Sequence, residues 1–459
     1  MKATVGKART STNETPGPRG TPILGCMRDF QRDKLGFIRG LTRYGDLARY
    51  RTAHLVWYQV NHPEGVRRVL QENNRNYGKG ALTRGFFMPV VGEGLLTSEG
   101  ALWLRQRRLM QPVFHRKSVA AFGSLMTGET QSMLERWQPA IEAGKPLDIL
   151  SEMSRLTLDV ATGALFHAHV GGEPETLGRA INVLIEDVGY RFEVPFYPPH
   201  RVPTPRNRRF RAALRTVDAA VYSIISERRR SGGGEEDLLA LLMNTRDETT
   251  GEAMDDKQLR DEVMTLFLAG HETTANALTW TLYLISTHPE VETRLRDELD
   301  EVLGPERRVP AVEDLPNLTY TKMVVDETLR LYPPAWITNR QAISGDEILG
   351  HRIPAGSFVT LSPYVLHRHP DFWEDPDAFD PERFAPGQGT GRPRFAYFPF
   401  GGGPRQCIGQ SMALVEAQLI LATILRRCRL ETVSDGPVEA QALATLRPRG
   451  GMPMSVEAA

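Results

Sequence analysis

The chain is poor in cysteine: Cys26, Cys407 and Cys428 are its three thiols among 459 residues. Three thiols cannot build a disulfide framework, and at least one must stay unpaired. That suits a reducing compartment and makes each thiol a question of chemistry rather than of stapling. An excess of charge of one sign is missing too. Lys plus Arg and Asp plus Glu are both 56, so the formal net charge is zero. General nucleic-acid binding is thereby disfavoured, although a local basic patch stays open. No run of about 20 apolar residues occurs, so no membrane-spanning helix is expected. The polar start, rich in Thr, Pro and Gly, holds no apolar stretch of the secretory kind. A cytoplasmic protein is the expectation. Internal repeats and low-complexity tracts are absent as well.

What is present is ordinary globular material, 41% hydrophobic and 24% charged, enough for a large core. Length alone allows about three domains. No segment reads as a boundary, because 231–236 and 387–391 are short and look like surface loops. Residues 1–15 are expected to be a flexible leader, with a Pro-rich stretch at 16–22 opening one domain over 16–459.

Apolar residues recur at helical spacing over 118–137, 151–168, 207–230, 256–287, 289–303, 319–331 and 408–428. Strand patterns are short: 47–52, 55–61, 347–353 and 357–361. The last two flank Pro354-Ala355-Gly356 and read as a hairpin. The expected class is mainly α with small β-sheets. The segment 256–287 would run roughly 45 Å as a helix, enough to cross the molecule. Its middle reads Phe267-Leu268-Ala269-Gly270-His271-Glu272-Thr273-Thr274-Ala275. A mid-helix glycine costs about 1 kcal/mol. Local rules broken in a central helix point to a site. The competing explanation is a packing notch, where a second helix crosses close to Gly270.

Cys407 lies in Phe400-Gly401-Gly402-Gly403-Pro404-Arg405-Gln406-Cys407-Ile408-Gly409, directly before an apolar helix. Three glycines allow close backbone approach and positive φ. The N–H groups and positive end of the helix favour a thiolate. A nucleophile wants a basic partner, and the loop has no His or Lys. Zinc wants further Cys or His at short spacing, which are absent. A lone thiolate in a glycine loop suits an iron held mainly by a porphyrin. Cys26 and Cys428 read as structural.

The segment Phe400–Gly409 resembles the haem-binding loop of the cytochrome P-450 haem-thiolate monooxygenases, with Phe400, Gly403, Arg405, Cys407 and Gly409 in the family's places. Further motifs occur in the family's order. Trp103-Leu104-Arg105-Gln106-Arg107 is similar to the Trp-x-x-x-Arg helix beside the haem. Ala269–Thr274 is similar to the oxygen-activating part of the central helix. Glu327-Thr328-Leu329-Arg330 and Pro381-Glu382-Arg383-Phe384 resemble the two parts of an ion-pair triad. The likeness runs from about residue 16 to about 454.

The resemblance implies a single triangular helical domain with a long central helix. It implies haem b with the Cys407 thiolate as axial ligand. Trp103, Arg107, Arg340 and Arg405 would hold the propionates, and Phe400 would pack in the same haem-binding loop. Tyr77 and Lys79 are possible further contacts, and Arg340 could instead sit in a solvated loop. Thr273 and Glu272 would form the catalytic alcohol–acid pair that delivers protons, Glu272 standing where many members carry Asp. Glu327, Arg330 and Arg383 would be structural.

Apolar substrate contacts are expected from Phe86, Phe87, Met88, Val90, Val91 and Leu95, from Phe192, Val194, Phe196 and Tyr197, from Phe267 and Ala269, and from Ala335, Trp336 and Ile337. Such a lining favours a small apolar substrate: a terpenoid, a fatty acid or a secondary-metabolite macrocycle. With no flavin domain in the sequence, electrons from NAD(P)H would arrive through a separate ferredoxin or flavodoxin with its reductase. Arg105, Arg107, Arg108, Arg116 and Lys117 supply a basic docking face, and a monomer is expected. Two other classes remain: a haem-thiolate peroxygenase or isomerase, against which the Glu272-Thr273 pair argues, and a non-catalytic haem-binding sensor.

Overall fold

The computed structural model describes residues 15–166, 174–194, 197–231, 237–248, 250–306, 308–433 and 436–459. The leader up to residue 14, the loop at 232–236 and Phe196 lie outside them.

One helix organises the rest. Asp256–Ser286 runs 31 residues, capped by the Asp255 carboxylate, which accepts from the Gln258 N–H. It is buried along most of its length. The helix Ile149–Phe166 packs along it, and the Thr157 hydroxyl donates to the His271 carbonyl at 3.0 Å. Trp280 stacks on Tyr332 with centroids 3.9 Å apart, tying the central helix to the end of Thr319–Leu331. A fourth helix, Gln410–Leu425, is buried from Glu416 onward. Its sequence is apolar on nearly all sides, as a helix inside a core must be.

Beside the helices lies a five-stranded sheet in the order Leu47–Thr52, Leu55–Val60, Phe358–Leu361, Thr338–Ala342, Tyr77–Gly78. The first pair is antiparallel with Leu47 opposite Val60, and Phe358–Leu361 runs parallel to Leu55–Val60. The hairpin expected between 347–353 and 357–361 does not form. Asp346–Ile348 pairs instead with His351–Ile353. They meet across Leu349 and Gly350, both at positive φ, as a two-residue hairpin turn requires. Phe358–Leu361 is buried at all four positions, so it needs neighbours on both edges and joins the larger sheet.

Helix ends move in two places. The expected 118–137 is Gly123–Glu142, which tolerates Pro139 near its end. The expected 408–428 stops at Leu425, and Cys428 begins a strand. Cys26 and Cys428 are both fully buried, in keeping with structural roles.

The Glu327–Arg330 pair is closed on all sides. Arg330 Nε and Nη2 donate to the two Glu327 oxygens at 2.6 and 2.7 Å. Its remaining N–H groups reach the carbonyls of His367, Pro376 and Ala378. Arg383 Nε stands 3.5 Å from Glu327, completing the triad on that carboxylate.

Candidate functional site

A cavity of about 440 Å³ lies between the central helix and the loop that carries Cys407. Ala269, Gly270, Thr273 and Thr274 form one wall, and Phe400 to Gly402 with Arg405 to Gly409 form the facing one. A Cβ added to Gly270 would meet nothing within 4 Å. The packing-notch explanation therefore fails: the glycine borders open space.

The opposite loop is held by its glycines. Gly401 and Gly403 adopt φ of 69° and 66°. A Cβ on Gly403 would sit 1.8 Å from the Leu70 carbonyl oxygen, so no other residue fits there. The Cys407 N–H donates to the Phe400 carbonyl at 3.0 Å and closes the loop. Cys407 opens onto the cavity, with protein around its other sides. Burial pushes its thiol up, opposed by the Gly409 N–H and the charge of Arg107. The sulfur is thus largely surrounded by protein without a full counter-charge, which a bound Lewis acid would supply.

Cations gather at one edge. Lys79, Arg107, Arg340 and Arg405 all line the cavity. Arg405 pairs with Glu99 and lies 4.3 Å over the Trp103 ring. Arg107 donates to the Gln406 carbonyl at 2.9 Å. Arg340 is fixed by strand Thr338–Ala342, opposite Val359, and not by a solvated loop. Its guanidinium reaches the Thr338 hydroxyl and the Asn339 carbonyl, with no carboxylate in ion-pair range among the described residues. Burial, then the charge of Arg405, pulls it down to about 10. Burial, with Arg405 and Arg340, pulls Lys79 down to about 6, and its amine donates to the Leu95 carbonyl at 2.7 Å. Tyr77 is turned elsewhere, its hydroxyl donating to Asp346 at 2.7 Å.

Of the six tryptophans, five donate their indole N–H to a protein acceptor: Thr52, Glu152, Leu446, Leu443 and Leu366. Trp103 has none among the described residues, and it lines the cavity beside Arg405. A lone N–H and a surplus of guanidinium groups fit the carboxylates of a flat apolar group, with the thiol as a ligand at its centre. Haem meets that description.

The alcohol and the acid part company. Thr273 lines the cavity and donates to the Ala269 carbonyl at 2.7 Å. Glu272 points away from that wall, into protein. Its carboxyl accepts from Thr445 at 2.6 Å, and Asn276 donates to the same hydroxyl at 3.0 Å. Burial pushes Glu272 up, opposed by Thr445 and the charge of Arg447.

Among the expected substrate contacts, Leu95, Ala269 and Ala335 line the cavity. Phe267, Trp336, Val90 and Val91 are core, at most 1% exposed. Phe267 packs on Phe166, and the Trp336 indole donates to Leu443. Phe86, Phe192 and Tyr197 form their own aromatic cluster. Met88, Val194 and Ile337 are not on the cavity wall either. The basic cluster also divides. Arg105 turns to Gln258 and the Ala253 carbonyl, Arg107 to the cavity, and only Arg108, Arg116 and Lys117 are exposed. Glu99 and Glu262, partners of the cationic edge, carried no sequence motif that marked them.

Among the described residues, no helix is long and apolar enough to cross a membrane. A sequence profile of the family described as cytochrome P-450 matches residues 15–451. Cyclooctatin synthase of Streptomyces melanosporofaciens is 37% identical over 421 residues, covering 91% of this chain and 90% of that protein. Cyclooctat-9-en-7-ol 5-monooxygenase of the same organism is 37% identical over 429 residues, covering 92% and 90%. Pentalenene oxygenase of Streptomyces avermitilis is 35% identical over 432 residues, covering 94% of each chain. The crystal structure of the cytochrome P-450DA haem domain superposes with a TM-score of 0.88 at 27% identity, covering 97% of this chain and 98% of that one.

Proposed function

This chain belongs to the cytochrome P-450 family, and on that premise we propose how its residues divide the work. The family makes it an oxygen-incorporating oxidoreductase with haem on a cysteine thiolate. The thiolate is that of Cys407. Trp103, Arg107, Arg340 and Arg405 hold the haem carboxylates, and the whole of 16–459 serves as one unit. The observation that carries this reading is the cavity itself: Cys407 and Thr273 line its facing walls, with three arginines and, among the described residues, an indole N–H without an acceptor on its edge.

When bound, the haem supplies reductive activation of dioxygen. The protein's share is proton supply and substrate placement. Glu272 is buried and its pKa is raised, so it holds a proton near neutrality more readily than an exposed carboxylate. Water carries that proton toward Thr273, whose hydroxyl can turn from the Ala269 carbonyl to donate into the cavity. The substrate is an apolar terpenoid. An apolar lining supports this, as do relatives named for oxygenating cyclooctat-9-en-7-ol and pentalenene. Electrons from NAD(P)H arrive by a separate ferredoxin or flavodoxin, which docks at exposed Arg108, Arg116 and Lys117.

Replacing the ligand is the direct test. Cys407→Ser should abolish the red-shifted Soret band that a thiolate gives the reduced carbon monoxide complex. A retained band overturns the ligand assignment. Thr273→Ala should keep that band while raising peroxide release per NAD(P)H consumed. Unchanged coupling would remove Thr273 from proton delivery.

A further inference from the structure

The loop between the helices Gly80–Val91 and Gly100–Met110 supplies a cavity wall through Leu95 and Leu96. It is pressed against the central helix. A Cβ on Gly94 would sit 2.1 Å from the Thr265 hydroxyl, and one on Gly92 would sit 2.2 Å from the Asp261 carboxylate. The loop's backbone is then bonded at each step. The Glu93 N–H donates to Asp261 at 2.9 Å, and the Glu93 carbonyl accepts from Gln106 at 2.7 Å.

At Leu95, ionisable side chains hold both the N–H and the carbonyl. Its N–H donates to Glu262 at 2.8 Å, and its carbonyl accepts from the Lys79 amine at 2.7 Å. Glu262 is fully buried and Lys79 is 8% exposed. Burying two ionisable groups to hold one peptide is expensive when neutral side chains could make the same bonds. Neither forms a direct ion pair with a third group among the described residues. Burial, with the nearby charge of Asp261, pushes Glu262 up to about 8 against the Leu95 N–H. One of its oxygens accepts from Leu95, and the other is buried without a hydrogen-bond partner among the described residues. Costly local chemistry of this kind collects at sites.

We propose that Glu262 and Lys79 are positioning residues that clamp the Leu95 peptide from both sides, and that this clamp sets which apolar substrates the cavity accepts. The inference rests on the monooxygenase reading for its substrate, but the clamp itself can be measured without turnover. Full-length, haem-loaded protein would be compared as wild type, Glu262→Ala, Glu262→Gln and Lys79→Met. Amide hydrogen exchange over residues 92–98 reads the clamp. Spin-shift titration with cyclic terpenes of graded size reads the wall.

Loss of one backbone hydrogen bond should speed exchange by about tenfold in Glu262→Ala and in Lys79→Met. In the same variants the ranking of terpene dissociation constants should reorder. Glu262→Gln, which keeps an acceptor oxygen for the Leu95 N–H, should stay near wild type in both readouts. Unchanged exchange in Lys79→Met overturns the clamp. Faster exchange with an unchanged ranking overturns its role in selection. A wild type that shows no spin shift with any terpene overturns the substrate reading, and the exchange arm still decides the clamp.

Discussion

Arg330 and Arg340 are near neighbours in sequence and are treated in opposite ways by the fold. Arg330 is fully buried, and its five N–H donors go to Glu327 and to three backbone carbonyls. Arg340 borders the cavity with one hydroxyl and one neighbouring carbonyl for company, and with Arg405 repelling it. A charge network whose donors all find acceptors inside the protein serves the fold. An open one carries a debt of anions and serves whatever brings them. The difference separates the support from the site without any appeal to motif.

The largest effect should come from breaking the closed network. Arg330→Met leaves Glu327 buried with only the more distant Arg383 as cationic partner. Removing one member of such a pair costs about 3–5 kcal/mol. Chemical denaturation of the variant should show that loss in full, with or without haem. A midpoint close to wild type would mean that the two arginines do not differ in kind.

A second closed cluster sharpens the contrast through pH. Asp346 accepts from Arg68 at 2.6 Å and from Tyr77 at 2.7 Å. Burial raises its pKa, but these partners more than offset it and hold the group down to about 2. Against an unfolded value of about 3.9, this contributes about 2.6 kcal/mol. The folded pKa is depressed, so the contribution is full above the unfolded value and is lost as pH falls toward about 2. The stability gap between wild type and Asp346→Asn should therefore shrink steadily below about pH 4. A gap that stays constant in acid would show that Asp346 is not held as a carboxylate.

How much of this was legible in the chain depends on the range of the cause. The tight glycine loop before Cys407 and the long helix that carries Thr273 were readable because close backbone approach and helical spacing are written in neighbouring residues. The Glu327–Arg330 pair was readable because it spans a single helical turn. Phe267 and Trp336 were not: whether an apolar side chain faces a cavity or the core depends on which helix packs there, here through Phe166 and Leu443. The misplaced hairpin has the same origin. Both the Leu349-Gly350 turn and the stretch at 354–356 can reverse a chain, and the choice was made by strand Leu55–Val60, far away in sequence. Glu272 shows a mixed result. Its role was implied by the family likeness of Ala269–Thr274, while its partner Thr445 lies 173 residues on.

The smallest effect is the most diagnostic, because its sign should be reversed. Arg340→Met removes a charge that burial and Arg405 both oppose. In haem-free protein, losing two modest hydrogen bonds at about 1 kcal/mol each competes with relief of that repulsion. The net change should be a gain of about 1 kcal/mol or less, against the loss of about 3–5 kcal/mol for Arg330→Met. With haem bound, the same substitution removes a charge-assisted bond to a carboxylate, so transfer of haem to an acceptor protein should quicken by about tenfold. Stability of the empty chain and retention of its cofactor would then move in opposite directions. If Arg340→Met instead destabilises the haem-free chain as Arg330→Met does, Arg340 belongs to the support and the cationic edge loses its claim to be the site.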